Sequence, residues 1–280
     1  MKCAWVEEHC DSFPIVDMCR TLQFPKSSFY AWRQREPGPR AQRTASIHDS
    51  VRYVFEQTDG IYGSKKIALE LEKDERLETA CRNTVATVMQ ELGLKSKVMK
   101  KFNPQTTVSD PTKQPAANIL NQEFVATAPN QKWVTDITYI WAGNAWVYLA
   151  VVVDLFSRKV VGWSISDSLA TPLICEALKN AIELRRPNTE ELLIHSDRGC
   201  QYTSDAYQQI LRSLKITCSM SRTGCCYDNA VAERFFWSLK HEWTNHKSYD
   251  NLAEVRRSVF KYIETFYNTV RIHQTLGYLS

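Results

Sequence analysis

Three carboxylates stand at places where side-chain oxygens can be gathered. Asp136 lies in the middle of KWVTDITYI, Asp197 closes ELLIHSD just ahead of Gly199, and Glu233 sits in DNAVAERFFWSLKHE, thirty-five residues intervening after Asp197. Alternation along the first run sends Asp136 to the same face as Val134 and Thr138, where an uncompensated carboxylate is costly. Three acids drawn together repel one another, and some of them protonate. A hard divalent cation removes that conflict, and ligation by oxygen alone points to Mg²⁺ or Mn²⁺ over zinc. Two such ions about 3.5–4 Å apart form the clamp used for in-line displacement at phosphodiesters. With 31 acidic residues, some triple of this kind arises by chance. The weight comes from context: mid-strand, strand end, then helix.

That helix has Asp228 or Asn229 as its expected N-cap, and no Gly or Pro follows. At about 100° per residue, Ala232, Phe235, Leu239 and Trp243 share one buried stripe. Glu233 falls at the stripe's edge and Lys240, seven residues on, lies almost directly along the helix from it. Glu233 reads either as a carboxylate held for chemistry or as an ordinary helix-boundary acid. Lys240 reads either as a contact to a DNA phosphate or base, or as a surface lysine. Trp237 is on the same side and suits base stacking or core packing. Gln201 and Tyr202, after the turn that follows Asp197, are further candidate DNA contacts.

The elements that must position these groups begin at Gln131. KWVTDITYI, AWVYLAVVVDLF and KVVGWSIS read as three strands of an antiparallel meander. Pro172 opens a helix to about Arg186, with Leu173, Ala177, Leu178, Ala181 and Leu184 inward. ELLIHSD is a fourth strand, Ser204–Leu214 a helix, and KITCSMS a fifth strand. The order βββαβαβα predicts a mixed five-stranded α/β (α+β) sheet with flanking helices and right-handed crossovers.

Small all-α modules precede it. In FPIVDMCRTLQFPKSSFYAWRQR, a helix through Val16, Cys19 and Leu22 and a second over Lys26–Arg35, with Tyr30 and Trp32 packing, give a helix-turn-helix outline. Arg33 and Arg35 are its candidate DNA contacts, and a solvated helical hairpin is the alternative. EPGPR, residues 36–40, reads as a linker. Helices are expected again over Ile47–Gln57, Lys65–Lys73 and Asn83–Leu92, where Arg82, Asn83, Thr84 and Thr87 could face a groove. The expected domains are residues 1–45 (helix-turn-helix-like), 46–102 (a second helical module of DNA-binding type), 103–130 (linker), 131–249 (catalytic core) and 250–280 (C-terminal helix and tail).

At 44% apolar content, 280 residues suffice for one good core plus small modules. A net charge of +4 permits nucleic acid as a partner without demanding it. The nine cysteines include no C-x-x-C pair, so reduced thiols are expected, and His9-Cys10 lacks the second pair a zinc finger needs. No apolar run nears the roughly 20 residues of a membrane span, and the N-terminus is no signal peptide, so an intracellular protein is expected.

At these residues the chain resembles a known family. WVTDITYI, VVDLFSRKVVGWSIS, HSDRGCQYTS, SRTGCCYDNAVAERFFWSLKHE and YNTVRIHQTLGYLS are similar to motifs of the DDE transposases of bacterial insertion sequences. The match is specifically to the second-reading-frame product of insertion-sequence family three, and DMCRTLQFPKSSFYAW and YGSKKIALEL extend it toward the N-terminus. The resemblance implies an RNase H-like, retroviral-integrase-like core with Asp136, Asp197 and Glu233 as catalytic and metal-binding residues. It implies Mg²⁺-dependent (or Mn²⁺-dependent) cleavage at terminal inverted repeats, with two ions, and transfer of the 3′-OH to a target phosphodiester. It also implies double-stranded DNA as partner (element ends and target), a homo-oligomer on DNA, an upstream-frame product fused or associated, no membrane, and a cytoplasmic, nucleoid-associated location in a bacterium. The chain departs from the family at Gly224-Cys225-Cys226, and it stops at Gly-Tyr-Leu-Ser where the family commonly continues, as a C-terminal truncation would. The rival expectations are a non-catalytic DNA-binding transposase remnant and a simple nuclease acting on RNA–DNA hybrids.

Overall fold

The computed structural model describes residues 2–34, 36–97, 115–222 and 225–280. They fall into two compact units, residues 1–95 and 96–280. The first unit opens with α1 (Lys2–Glu8), α2 (Ile15–Thr21) and α3 (Lys26–Arg33). Val6, Met18, Cys19 and Phe29 form their shared core, with Leu22 and Phe24 packed against it. Tyr30 and Trp32, expected to pack, are largely exposed, as is Val16 of the expected helix. The unforeseen α1 supplies Val6, and the arrival of a third helix turns Phe29 inward instead of its neighbours.

α4 (Pro39–Gln57) runs without a break through residues 45 and 46, where two modules were expected to divide, and its first two residues belong to the expected linker 36–40. Proline at the first helical position is pre-set for the entry turn. The buried positions of α4 all lie at Ile47 or later. Its first two turns therefore carry no apolar stripe, and good helix formers simply extend a helix nucleated further on. α5 (Ser64–Lys73) and α6 (Arg82–Glu91) complete the unit, burying Ile67, Ala68 and Leu71, and Val85, Val88 and Met89.

The second unit is built on β1 (Lys132–Ala142), β2 (Ala145–Asp154), β3 (Val160–Ser166), β4 (Leu193–Ser196) and β5 (Thr217–Met220). Their order is β3-β2-β1-β4-β5. β1–β2 and β2–β3 pair antiparallel, whereas β1–β4 and β4–β5 pair parallel. This is the mixed five-stranded sheet the element order predicts, and the RNase H-like one the resemblance implies. α7 (Thr171–Arg185) and α8 (Asp205–Ser213) make the two crossovers, and they bury Leu173, Ala177, Leu178, Ala181, Tyr207 and Leu211 against Trp133, Val152 and Ile194. Leu184, expected inward, is 70% exposed. Ile174 and Ile182 take up the packing instead.

α7 lies so close to the sheet at Gly162 that a Cβ there would strike the Ala177 carbonyl oxygen and come within 2.6 Å of the Ala181 Cβ. Gly162→Ala is expected to cost about 1–3 kcal/mol of overpacking, read as a lowered urea midpoint.

Residues 115–130, expected as the end of a linker, are fastened to the sheet. The Ile119 and Leu120 amides both donate to Ser219 Oγ (2.9 and 3.0 Å), and Leu120 is buried. The rest of the expected linker, residues 103–114, lies outside the described residues. A 3₁₀ turn, Cys226–Asn229, leads into α9 (Ala230–Glu242). α10 (Leu252–Phe260) follows and widens into a π-helical stretch, Lys261–Tyr267. The Asn268 side chain both accepts from the Val160 amide and donates to its carbonyl (2.9 Å each), and Arg256 Nη2 donates to Ile165 O. The C-terminal segment thus closes the open edge of β3, a common protection of an exposed strand.

Candidate active site

β1 and β4 are in parallel register with Val134 opposite His195. Two residues further along each chain stand Asp136 and Asp197. Both lie just past the last paired residues, at the carboxyl end of the parallel pair, where ligands of such sheets bind, and the charge of Asp197 acts on Asp136. β4 ends at Ser196, so Asp197 opens the loop. Each carboxylate is oriented by one backbone amide: Ile137 N–H donates to Asp136 Oδ1 (2.8 Å) and Gly199 N–H to Asp197 Oδ1 (2.9 Å).

Beyond Val134 the edge of β1 is no longer paired with β4, and α9 comes alongside, with Asn229 Nδ2 donating to Thr135 O (3.2 Å). Asn229 is thus the N-cap residue by position but makes no side-chain cap bond to its own helix. The stripe Ala232, Phe235, Leu239 and Trp243 is buried as expected. Glu233 and Lys240 lie along the edge of that stripe, Glu233 exposed and Lys240 half-buried.

The electrostatics link these groups. Burial raises the Asp136 pKa well above its usual range, the charges of Asp197 and Glu233 add to this, and the Ile137 amide and Lys240 oppose it. Burial also raises Glu233, with Asp197 contributing. Burial lowers Lys240, against the pull of Asp136. Glu233 is the most solvent-open of the three acids by area, so its shift weighs less than that of Asp136. Among the described residues, no group of three or more His, Cys, Asp or Glu side chains is gathered tightly enough to hold an ion. The donor chemistry nevertheless fits a hard cation: two adjacent carboxylates, a third within electrostatic reach, and an Asp136 whose negative charge lacks full compensation.

The other expected contacts divide. Tyr202 is 1% exposed, packs edge-to-face on Tyr207 (5.5 Å) and shares a hydrogen bond with Thr135 Oγ1 (3.1 Å). It is a core residue that braces β1, not a DNA contact; the helix after the turn covers it. Gln201 is partly exposed and donates weakly to Leu169 O (3.4 Å). Arg33 is exposed and within 3.3 Å of Glu7, and Arg35 lies outside the described residues. Trp237 stacks on His241 (4.5 Å) and carries the Arg234 guanidinium over its ring (4.3 Å).

In the sequence Asp228 stands out only as an N-cap candidate. It is fully buried and accepts from Asn118 Nδ2, Gln122 Nε2 and the Arg222 amide (2.8–2.9 Å), with the Arg222 guanidinium at 3.3 Å. Burial pushes its pKa up, but the Arg222, Gln122 and Cys225 donors outweigh this and hold it far below the usual range. Partners more than 100 residues away leave no local signal. Asp228→Asn is expected to cost about 1.5–3 kcal/mol near neutral pH. A depressed folded pKa gives stability that is present above the unfolded value and lost on acidification. The wild type's advantage in urea midpoint therefore shrinks below about pH 4.

The Integrase core domain family matches residues 126–226 and again 214–280, and the HTH-like domain family matches residues 42–102. Transposase InsF for insertion sequence IS3A of Escherichia coli K12 is 39% identical over 286 residues, covering 100% of this chain and 96% of the relative. The uncharacterized 31 kDa protein of insertion element IS600 of Shigella sonnei is 35% identical over 263 residues, covering 94% and 95%. Among solved structures, the HTLV-2 integrase catalytic core in complex with magnesium overlaps with TM-score 0.42 and 21% identity, over 52% of this chain and 92% of that one. The catalytic domain of Mos1 mariner transposase overlaps with TM-score 0.42 and 15% identity, over 49% and 71%.

An integrase core domain on this sheet defines a DDE-type polynucleotidyl transferase. The helical region before it carries the HTH-like match. By identity along its whole length, the chain belongs to the transposases of the insertion-sequence IS3 family.

Proposed function

We propose that this chain cleaves DNA at the terminal inverted repeats of its element and joins the freed 3′-OH to a target phosphodiester, using Mg²⁺ or Mn²⁺. The observation that carries the reading is the register of Asp136 beside Asp197, with the proton affinity of Asp136 raised by its neighbours' charges. Asp136, Asp197 and Glu233 would hold the ions, a pair in the manner of two-metal phosphoryl transfer. Bound there, divalent cations supply an activated attacking oxygen and stabilise the leaving one.

The chain's own residues do the rest. The Ile137 and Gly199 amides fix the direction of the two aspartates. Phe235, Leu239 and Trp243 fix α9, and so the side from which Glu233 and Lys240 approach. Lys240 binds a DNA phosphate, and Gln201 is a second contact at the loop. In the first step water attacks the scissile phosphorus and the 3′-oxygen leaves as the hydroxyl. In the second that hydroxyl attacks a target phosphodiester in line and displaces its 3′-oxygen, with no covalent protein–DNA intermediate.

In this reading residues 1–45 and 46–102 grip duplex DNA, Arg33 and Arg35 among their contacts, residues 131–249 carry the chemistry and residues 250–280 brace it. The protein acts as a homo-oligomer on element ends and target, fused to or associated with an upstream-frame product, in the bacterial cytoplasm at the nucleoid. No helix among the described residues is long and apolar enough to cross a membrane.

Purified protein with end-labelled duplex carrying the element's terminal repeats tests this. Nicking is expected with Mg²⁺, lost with a chelator and restored by Mn²⁺. DNA retention without nicking under every metal condition would leave a DNA-binding protein only.

A further inference from the structure

Past Ile137, the β1–β2 hairpin projects beyond the part of the sheet that α7 and α8 cover. Its uncovered face carries Tyr139, Trp141 and Trp146, continuing the alternation from Trp133 and Ile137. Trp141 is 51% exposed and Trp146 44%. The rings are ordered against one another: Tyr139 meets Trp146 edge-on at 4.8 Å, and Trp146 meets Trp141 at 4.7 Å. Lys240 Nζ sits 4.3 Å from the centre of the Tyr139 ring, and its charge also acts on Asp136. Asp136 alternates to the opposite face of β1, and Lys240 stands between the two, its charge acting on Asp136 and its ammonium over the Tyr139 ring, from which ring contacts lead to two half-open indoles. The hairpin tip is held rather than loose. Gly143, at φ +58°, donates its amide to Tyr249 O (2.6 Å), and a Cβ there would lie 2.6 Å from Asp250 O.

We propose that this hairpin is a stacking platform for unpaired DNA bases next to the phosphodiester held at Asp136 and Asp197. The inference rests on the strand-cleavage reading above and names the form of DNA that the site takes. Exposed indoles in line with a cation suit a polyanion whose bases have π-faces, because every base can stack on them whatever its sequence. Bases in an intact duplex already stack on each other and have no face to offer, so the platform selects nucleotides that are frayed or extruded. Trp141 and Trp146 touch no carboxylate of the site, so they can be changed without removing a metal ligand.

The test uses the full chain with Asp136→Asn and no divalent metal, so that nothing turns over. The probes are a short fluorescent single-stranded oligonucleotide and the corresponding duplex. Trp141→Ala and Trp146→Ala are each expected to weaken single-strand binding by about 5- to 100-fold, and Trp→Phe to restore most of it. Duplex affinity stays unchanged, and quenching of protein fluorescence by the single strand is lost in the double alanine variant. Equal single-strand affinity in wild type and double variant overturns the proposal. So does a drop in sedimenting mass with unchanged DNA binding, which makes the patch a contact between copies of this chain. Because the measurement needs no cleavage, failure of the metal-dependent nicking assay and failure of this one are separate results.

Discussion

Asp136→Asn, Asp197→Asn and Glu233→Gln are each expected to reduce nicking of end-labelled terminal-repeat duplex by about 10³-fold or more, with duplex binding retained. Each amide keeps the volume of its acid and removes the charge that a cation needs. The stability readout separates this from a structural role. Burial and the charges of Asp197 and Glu233 raise the folded-state pKa of Asp136. A raised carboxyl pKa means that the folded protein binds the proton more tightly than the unfolded chain. The ionised form therefore weighs against the fold, and stability falls as pH rises from the ordinary carboxylate range through the raised value. Asp136→Asn removes that burden, so its melting temperature near neutral pH should equal or exceed that of the wild type while activity disappears. Retained nicking in any of the three variants would end the catalytic assignment. A lowered melting temperature in Asp136→Asn would make that residue a structural one.

Removing either member of the Glu242–Arg271 pair is expected to cost about 3–5 kcal/mol. Glu242 ends α9 and Arg271 belongs to the C-terminal segment, and their side chains are only 4% and 9% exposed. Arg271 Nη2 donates to Glu242 Oε1 (2.6 Å) and Nε to Oε2 (2.8 Å), a bidentate pair to which Tyr262 adds its hydroxyl (2.8 Å) and Ser238 accepts from Nη2 (3.1 Å). With Arg271→Leu, a buried carboxylate loses its bidentate guanidinium, and the Tyr262 hydroxyl does not neutralise it. With Glu242→Leu, a guanidinium is stranded. The double change Glu242→Leu with Arg271→Met removes both charges and is expected to cost much less than the sum of the singles. Urea midpoints of the four proteins give the coupling directly. Single variants within about 1 kcal/mol of wild type would mean that the pair does not hold α9, the helix that carries Glu233 and Lys240, to the rest of the unit.

Periodicity and element order carried the sequence reading far. The meander KWVTDITYI, AWVYLAVVVDLF and KVVGWSIS, the two crossover helices and the buried stripe of α9 are all found as expected. Alternation and the 3.6-residue repeat are properties of each element, so they are written locally. The same signals failed where an element's neighbours decide its faces. Tyr30 and Trp32 only flank the ring of Phe29 and stay exposed, and Phe29 is the residue buried, because α1 leaves no sequence signal of its arrival. The first turns of α4 show no stripe, so periodicity does not reveal that one helix continues through residues 45 and 46.

By itself, then, the sequence determined the kinds of elements, their order and the acids at strand middle, strand end and helix, together with the family motifs that name the chemistry. Only the tertiary structure decided which side chains meet. Parallel register brought Asp136 beside Asp197, packing buried Tyr202, distant donors surrounded Asp228, and Arg271 found Glu242. Side-chain period is fixed by backbone geometry within one segment, whereas burial and pairing depend on segments tens to more than a hundred residues away, whose approach no local pattern records.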